Sequence, residues 1–144
     1  MMSIHIKICG ITDLLGAQAA VDAGADSIGF VLAESVREVS TLRATAIVAE
    51  LAGSVDVTAV FRGPPTREIV GVLAGFDADV VQADHRSLVG VEGWRLLPVF
   101  RETVSTPGEI ALSVNRGRFV YEGRHSGAGL TVDWDLAADV AGLG

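Results

Sequence analysis

Cysteine is almost missing from this sequence. Cys9 is the single thiol in 144 residues, so no internal disulfide can form, and the chain suits a reducing compartment. Long apolar runs are missing too. No uninterrupted stretch is long enough to span a bilayer, and the N-terminus has no basic segment followed by an apolar one, the pattern of a secretory signal. These absences predict a cytoplasmic protein with no membrane partner. Basic charge is scarce: Lys and Arg total 11 against 18 Asp and Glu, a formal net charge of -7. Such a surface repels phosphate backbones, which argues against a nucleic-acid partner. A local basic patch still admits an anionic small molecule. Histidine is limited to His5, His85 and His125. They are scattered and form no ligand cluster with Cys9, so no metal centre is expected. No G-x-G-x-x-G follows the first apolar run and no G-x-x-x-x-G-K-[ST] occurs, so neither common nucleotide fingerprint is present.

What is present alternates. Hydrophobic residues make up 49% of the chain, enough for one domain with a core. Short β-branched runs at 3–11, 26–32, 55–61, 78–84, 94–100 and 118–123 read as strands. Longer alanine-rich segments at 13–24, 41–53, 66–76, 108–115 and 133–142 read as helices. Asp13, Ser40 or Thr41, and Asp133 supply N-terminal caps, and Gly24 and Gly53 supply stops. Strands alternating with helices predict a parallel α/β sheet, either open and doubly wound or rolled into a (β/α) barrel.

The first strand favours the barrel. Ile4, Ile6 and Ile8 share one face, and His5, Lys7 and Cys9 share the other. Three isoleucines suit the side that meets the helices. A polar inner face that carries Lys7 and Cys9 toward the C-terminal end of the strand suits the mouth of a barrel, where such enzymes keep their active sites.

Four segments then carry a family resemblance. "KICGIT" at 7–12 with Asp13, "GADSIGFVLAESVREVS" at 24–40, "DVVQAD" at 79–84 and "GAGLTVDW" at 127–134 occur in that order and span nearly the whole chain. Together they resemble phosphoribosylanthranilate isomerase, a (β/α)8 barrel of tryptophan biosynthesis. The resemblance implies an Amadori rearrangement of N-(5-phosphoribosyl)anthranilate, an aldose–ketose isomerisation that uses neither metal nor organic cofactor. An acid protonates the ring oxygen as the sugar opens, and a base removes the C2′ proton. The resemblance places the base at Cys9, with Lys7 as a neighbouring cation that favours a thiolate. It places the acid at Glu122, where the family has an aspartate. Arg37 is implied as the fork that holds the anthranilate carboxylate. Gln82, Gly127 and Gly129, with Lys7, complete the implied substrate-binding set. The bland readings are a core thiol at Cys9, an ion pair of Lys7 with Glu122 or Asp84, a packing role for Trp134 and a solvated loop for His125.

Three departures from the family pattern accompany these matches. Asp84 and His85 stand where the family has His-Gly, and Leu130 stands for a polar residue. The two βα units that carry the family's phosphate-binding loops have no counterpart before Gly144. The expectation is therefore an incomplete TIM-barrel-like domain over 1–144, with about six of the usual eight βα units. A homodimer is expected to cover its open edges. Two rival functions follow from the departures. One is a diverged paralogue that acts on a non-phosphorylated small molecule in secondary metabolism. The other is a non-catalytic binding or assembly protein.

Overall fold

The structure, a computed structural model, describes residues 4–51, 53–102, 105–114, 117–125 and 128–142. Its elements follow the alternation in the sequence. They are β1 (Lys7–Cys9), α1 (Leu14–Asp22), β2 (Ser27–Val31), α2 (Thr41–Glu50), β3 (Asp56–Val60), α3 (Thr66–Leu73), β4 (Val80–Asp84), a 3-10 turn (His85–Leu88), β5 (Arg95–Arg101), α4 (Pro107–Val114), β6 (Val120–Glu122) and α5 (Trp134–Ala141). The strands are shorter than the sequence pattern suggests, except β5, which runs one residue further, to Arg101. The 3-10 turn has no counterpart in the sequence pattern. The expected strand start at Ser3, the helix end at Asn115 and the glycine at Gly127 lie outside the described residues.

Helix starts follow local chemistry. The Asp13 carboxylate accepts from the Gly16 N–H at 2.7 Å, and the Ser40 hydroxyl accepts from the Arg43 N–H at 3.3 Å. Asp133 accepts from the N–H groups of Asp135 and Leu136, both at 3.0 Å. These bonds satisfy donors that a helix leaves open in its first turn. At α4, Thr106 and Glu109 form a reciprocal box: the Thr106 N–H donates to Glu109 and the Glu109 N–H donates to the Thr106 hydroxyl. The Thr106 bonds hold the Glu109 carboxyl below its ordinary value.

The strands lie in one parallel sheet in the order β1-β2-β3-β4-β5-β6. A doubly wound sheet reverses direction at a switch point, whereas this order never does. The register adds a second sign. Cys9 pairs with Gly29, Gly29 with Thr58, Thr58 with Val80 and Val80 with Arg95. That row starts at the last residue of β1 and ends at the first of β5. Such stagger is the shear that rolls a sheet into a barrel. The fold is thus an incomplete TIM-barrel-like α/β sheet, in which β1 and β6 each have one strand neighbour among the described residues.

The outward face carries the main core. Ile28, Phe30, Val57, Ala59, Val81 and Ala83 pack with Ala17, Ala44, Ile47, Ile69 and Leu73 from the helices. Phe30 meets the edge of Phe76 at a centroid distance of 6.0 Å. A second, smaller core joins Phe100, Ile110 and Val140 to Phe119 and Tyr121. The Tyr121 hydroxyl is buried there without a hydrogen-bond partner among the described residues. Burial, helped by the charges of Glu102 and Asp133, pushes its phenol above the ordinary value.

Two packing expectations fail. The isoleucines of the first strand do not bury: Ile4, Ile6 and Ile8 are 86%, 49% and 42% exposed. Ile8 pairs in register with Ile28, which is fully buried. Ile28 sits between two strands, while Ile8 is on an edge with cover on one side only. Trp134 opens α5 and is 71% exposed, so it is not a packing residue. Among the described residues, no helix is long and apolar enough to cross a membrane.

Candidate active site

Inward-facing residues at the C-terminal ends of the strands line a cavity of about 820 Å³. Cys9, Arg37, Gln82 and Glu122, four residues expected at the site, all contribute to its wall. They come from β1, the β2–α2 loop, β4 and β6. Only the rolled sheet brings them to one place.

The wall around Cys9 depends on two glycines. Gly29 pairs with Cys9, and a Cβ at Gly29 would lie 3.0 Å from the thiol sulfur and 3.3 Å from Val60. A bare backbone there leaves the thiol its space. Gly10 turns the chain off the sheet with φ +85°, a conformation that side-chain-bearing residues rarely adopt. The N–H groups of Gly10 and Ile11 both donate to the Gly29 carbonyl, at 2.9 and 3.0 Å. The Arg37 side chain lies directly over this turn, where a Cβ on Gly10 would be 2.5 Å from Arg37 Cδ.

Arg37 is held by its own loop. The Arg37 N–H donates to the Ser35 hydroxyl at 3.2 Å, and the Glu38 N–H donates to the Ser35 carbonyl at 3.0 Å. The Val39 N–H then returns the loop to the Val31 carbonyl at 3.0 Å. These bonds hold the loop that carries Arg37, whose side chain lies over Gly10 in the same cavity wall as Cys9.

Lys7 lies one layer below the mouth. It lines a second cavity, of about 990 Å³, which extends toward the N-terminal ends of the strands and includes His5, Ser27 and Thr58. Its ammonium crosses from β1 to β4 and donates to the Gln82 side-chain oxygen. The alternative reading of Lys7, an ion pair with Glu122 or Asp84, does not hold. Both carboxylates go instead to Arg101, whose Nη2 is 2.8 Å from Asp84 and whose Nη1 is 2.8 Å from Glu122. A lysine ammonium has three donors and no acceptor. The Gln82 group that meets it is therefore the carbonyl, which leaves the amide NH2 for another partner.

Arg101 is the site residue that the sequence pattern did not supply. Its signal was present: Leu97, Val99 and Arg101 alternate along β5, so the arginine faces inward at the C-terminal strand end. His125, in contrast, lines a separate pocket with Glu102, Arg124 and Leu130, not the mouth. His85 stacks on Phe100 at 4.6 Å. Gly129, with φ +70°, lies in the β6–α5 loop and does not line the mouth cavity.

No family model matches the chain. Curated relatives do. An N-(5′-phosphoribosyl)anthranilate isomerase from Oceanobacillus iheyensis is 29% identical over 94% of this chain and 70% of its own length. The same enzyme from Pelobacter propionicus is 33% identical over 96% of this chain and 70% of its own. Among solved structures, phosphoribosyl anthranilate isomerase from Thermus thermophilus superposes with a TM-score of 0.82 at 26% identity, covering 97% of this chain and 72% of that one. Sequence likeness over nearly the whole chain and superposition on a solved member agree, and the chain belongs to the phosphoribosylanthranilate isomerase family.

Proposed function

We propose that this chain catalyses the Amadori rearrangement of N-(5-phosphoribosyl)anthranilate to the aminodeoxyribulose phosphate, a step of tryptophan biosynthesis, in the cytoplasm. The observation that carries the proposal is the convergence of Cys9, Arg37, Gln82 and Glu122 on one mouth cavity. Arg37 supplies a planar fork for the anthranilate carboxylate beside Cys9. Glu122, on the opposite side of the open sheet, gives a proton to the ring oxygen as the C1′–O bond breaks and an imine forms. The Cys9 thiolate then removes the C2′ proton. The electron pair moves toward the imine nitrogen, and the enolamine tautomerises to the ketone. The Gln82 oxygen is taken by Lys7, which supports a role for its amide NH2 as donor to a sugar oxygen.

Rescue of a tryptophan auxotroph that lacks this isomerase tests the proposal. The wild-type chain is expected to restore growth, and Cys9→Ser is expected not to. Folded wild-type chain that fails to rescue, yet turns over a non-phosphorylated analogue, would replace the proposed substrate. For assembly, we propose a homodimer over the β1 edge, supported by the exposed Ile4, Ile6 and Ile8. Light scattering that returns the monomer mass at high concentration would remove that part.

A further inference from the structure

Asp84 and Glu122, two acids that each differ from the residue in the family's pattern, meet on one side chain. Asp84 ends β4 and Glu122 ends β6, and Arg101 ends the strand between them. The register pairs Asp84 with Val99 and Arg101 with Glu122. Arg101 therefore emerges one step above Asp84 and level with Glu122. Its Nε and Nη2 donate to Asp84 Oδ1 at 3.1 and 2.8 Å, and its Nη1 donates to Glu122 Oε2 at 2.8 Å. The Arg101 side chain is 19% exposed. Other ionisable groups around the mouth are Cys9, Glu34, Arg37 and Arg62. The Glu102 N–H donates to the Glu122 carbonyl at 3.0 Å.

A guanidinium is planar, and its donors leave at fixed angles. Once Asp84 holds the Nε–Nη2 edge, the plane is set and Nη1 has one direction left. That direction ends on Glu122. Glu122 has one methylene more than the family's aspartate and so more rotamers to restrict. We propose that Asp84 and Arg101 are positioning residues that aim the Glu122 carboxyl into the mouth, with Asp84 acting only through Arg101. The alternative is an ordinary, partly exposed ion-pair cluster, which contributes little on its own. The proposal rests on Glu122 as the acid of the proposed reaction.

Steady-state kinetics on the whole chain tests it, with far-UV circular dichroism to confirm that each variant is folded. General acid catalysis is worth about 10²–10⁴-fold, and misaiming the acid forfeits part of that. Asp84→Ala is expected to lower kcat about tenfold or more with little change in KM, because Arg37 and Gln82 stay in place. Asp84→Asn keeps the Oδ1 acceptor and is expected to recover most of the loss. Arg101→Lys, a point charge that cannot hold both carboxylates in one plane, is expected to behave like Arg101→Met. In the Arg101→Met background, Asp84→Ala is expected to add nothing. An Asp84→Ala loss of equal size in that background overturns the proposal. So does an Asp84→Asn variant as slow as Asp84→Ala, which assigns the effect to charge instead of aim. An unchanged kcat in Asp84→Ala, with wild-type turnover intact, overturns the positioning role alone. Wild-type chain without turnover overturns it together with the isomerase reading. The arginine Nε–H resonance of Arg101 gives a readout independent of turnover. It is expected to shift in Asp84→Ala and in Glu122→Gln, and indifference to both contradicts the clamp.

Discussion

Replacing Gly10 with alanine separates the backbone from the site. The added Cβ meets two obstacles. Gly10 has φ +85°, and holding an L-residue in left-handed geometry costs about 1–2 kcal/mol. In a domain of this size that corresponds to a fall in Tm of about 3–8 °C. The Cβ also falls 2.5 Å from Arg37 Cδ, so the arginine must swing away. Arg37 is exposed, and moving it adds little to the loss of stability. It does remove the guanidinium from beside Cys9. A charge-assisted bond to a carboxylate is worth about 1.5–3 kcal/mol, and tenfold in affinity is about 1.4 kcal/mol. Gly10→Ala is thus expected to raise KM by about tenfold to a hundredfold while the melting point falls only modestly. Thermal denaturation and initial rates measure the two effects separately. In an Arg37→Ala background the KM effect should vanish and the Tm effect should persist. A KM increase of the same size without Arg37 would refute the reasoning.

Further outcomes follow from the packing and the charges. Phe30→Ala empties a fully buried position against Phe76 and is expected to cost about 3–5 kcal/mol in urea unfolding; a loss under about 1 kcal/mol contradicts the core assignment. Tyr121→Phe removes a buried hydroxyl that has no partner among the described residues. It is expected to leave stability unchanged or raise it by about 1 kcal/mol, and clear destabilisation would mean that the hydroxyl is bonded. The Glu109 carboxyl is held below its ordinary value of 4.5 by its Thr106 bonds. Its folded value lies below its unfolded one, so its contribution is complete above about 4.5 and is lost as pH falls through the folded value. Stability measured from pH 6 downward should fall less steeply in Glu109→Ala than in the wild type; identical slopes would argue against the capping box.

The alternation of strands and helices was legible in the sequence because each run keeps its own period and α1, α2 and α5 each start at a side-chain cap. The inward face of β1 was legible for the same reason: period two alone separates Cys9 from Ile8. The partners of Lys7 and Arg101 were not. Which β4 residue faces Lys7 depends on the stagger that carries the row from Cys9 to Arg95, and no local pattern encodes that sum. Arg101 escaped because the apolar run of β5 ends at Phe100, while the ladder to Glu122 extends the strand by one residue. The exposed isoleucines have a similar origin. A β-branched run specifies a strand, and burial then depends on what lies on both sides of it. Trp134 reads as a packing residue, yet it stands at the first turn of α5, on the outside.

Proton abstraction by Cys9 is the step on which the proposed chemistry depends, and the fluorescence of the N-linked anthranilate substrate follows its turnover. Purified wild-type chain should consume the substrate and quench that signal. Cys9→Ser, which keeps the shape and loses the acidic thiol, should slow the decay by about a hundredfold or more. A Cys9→Ser variant that decays as fast as the wild type would contradict Cys9 as the base.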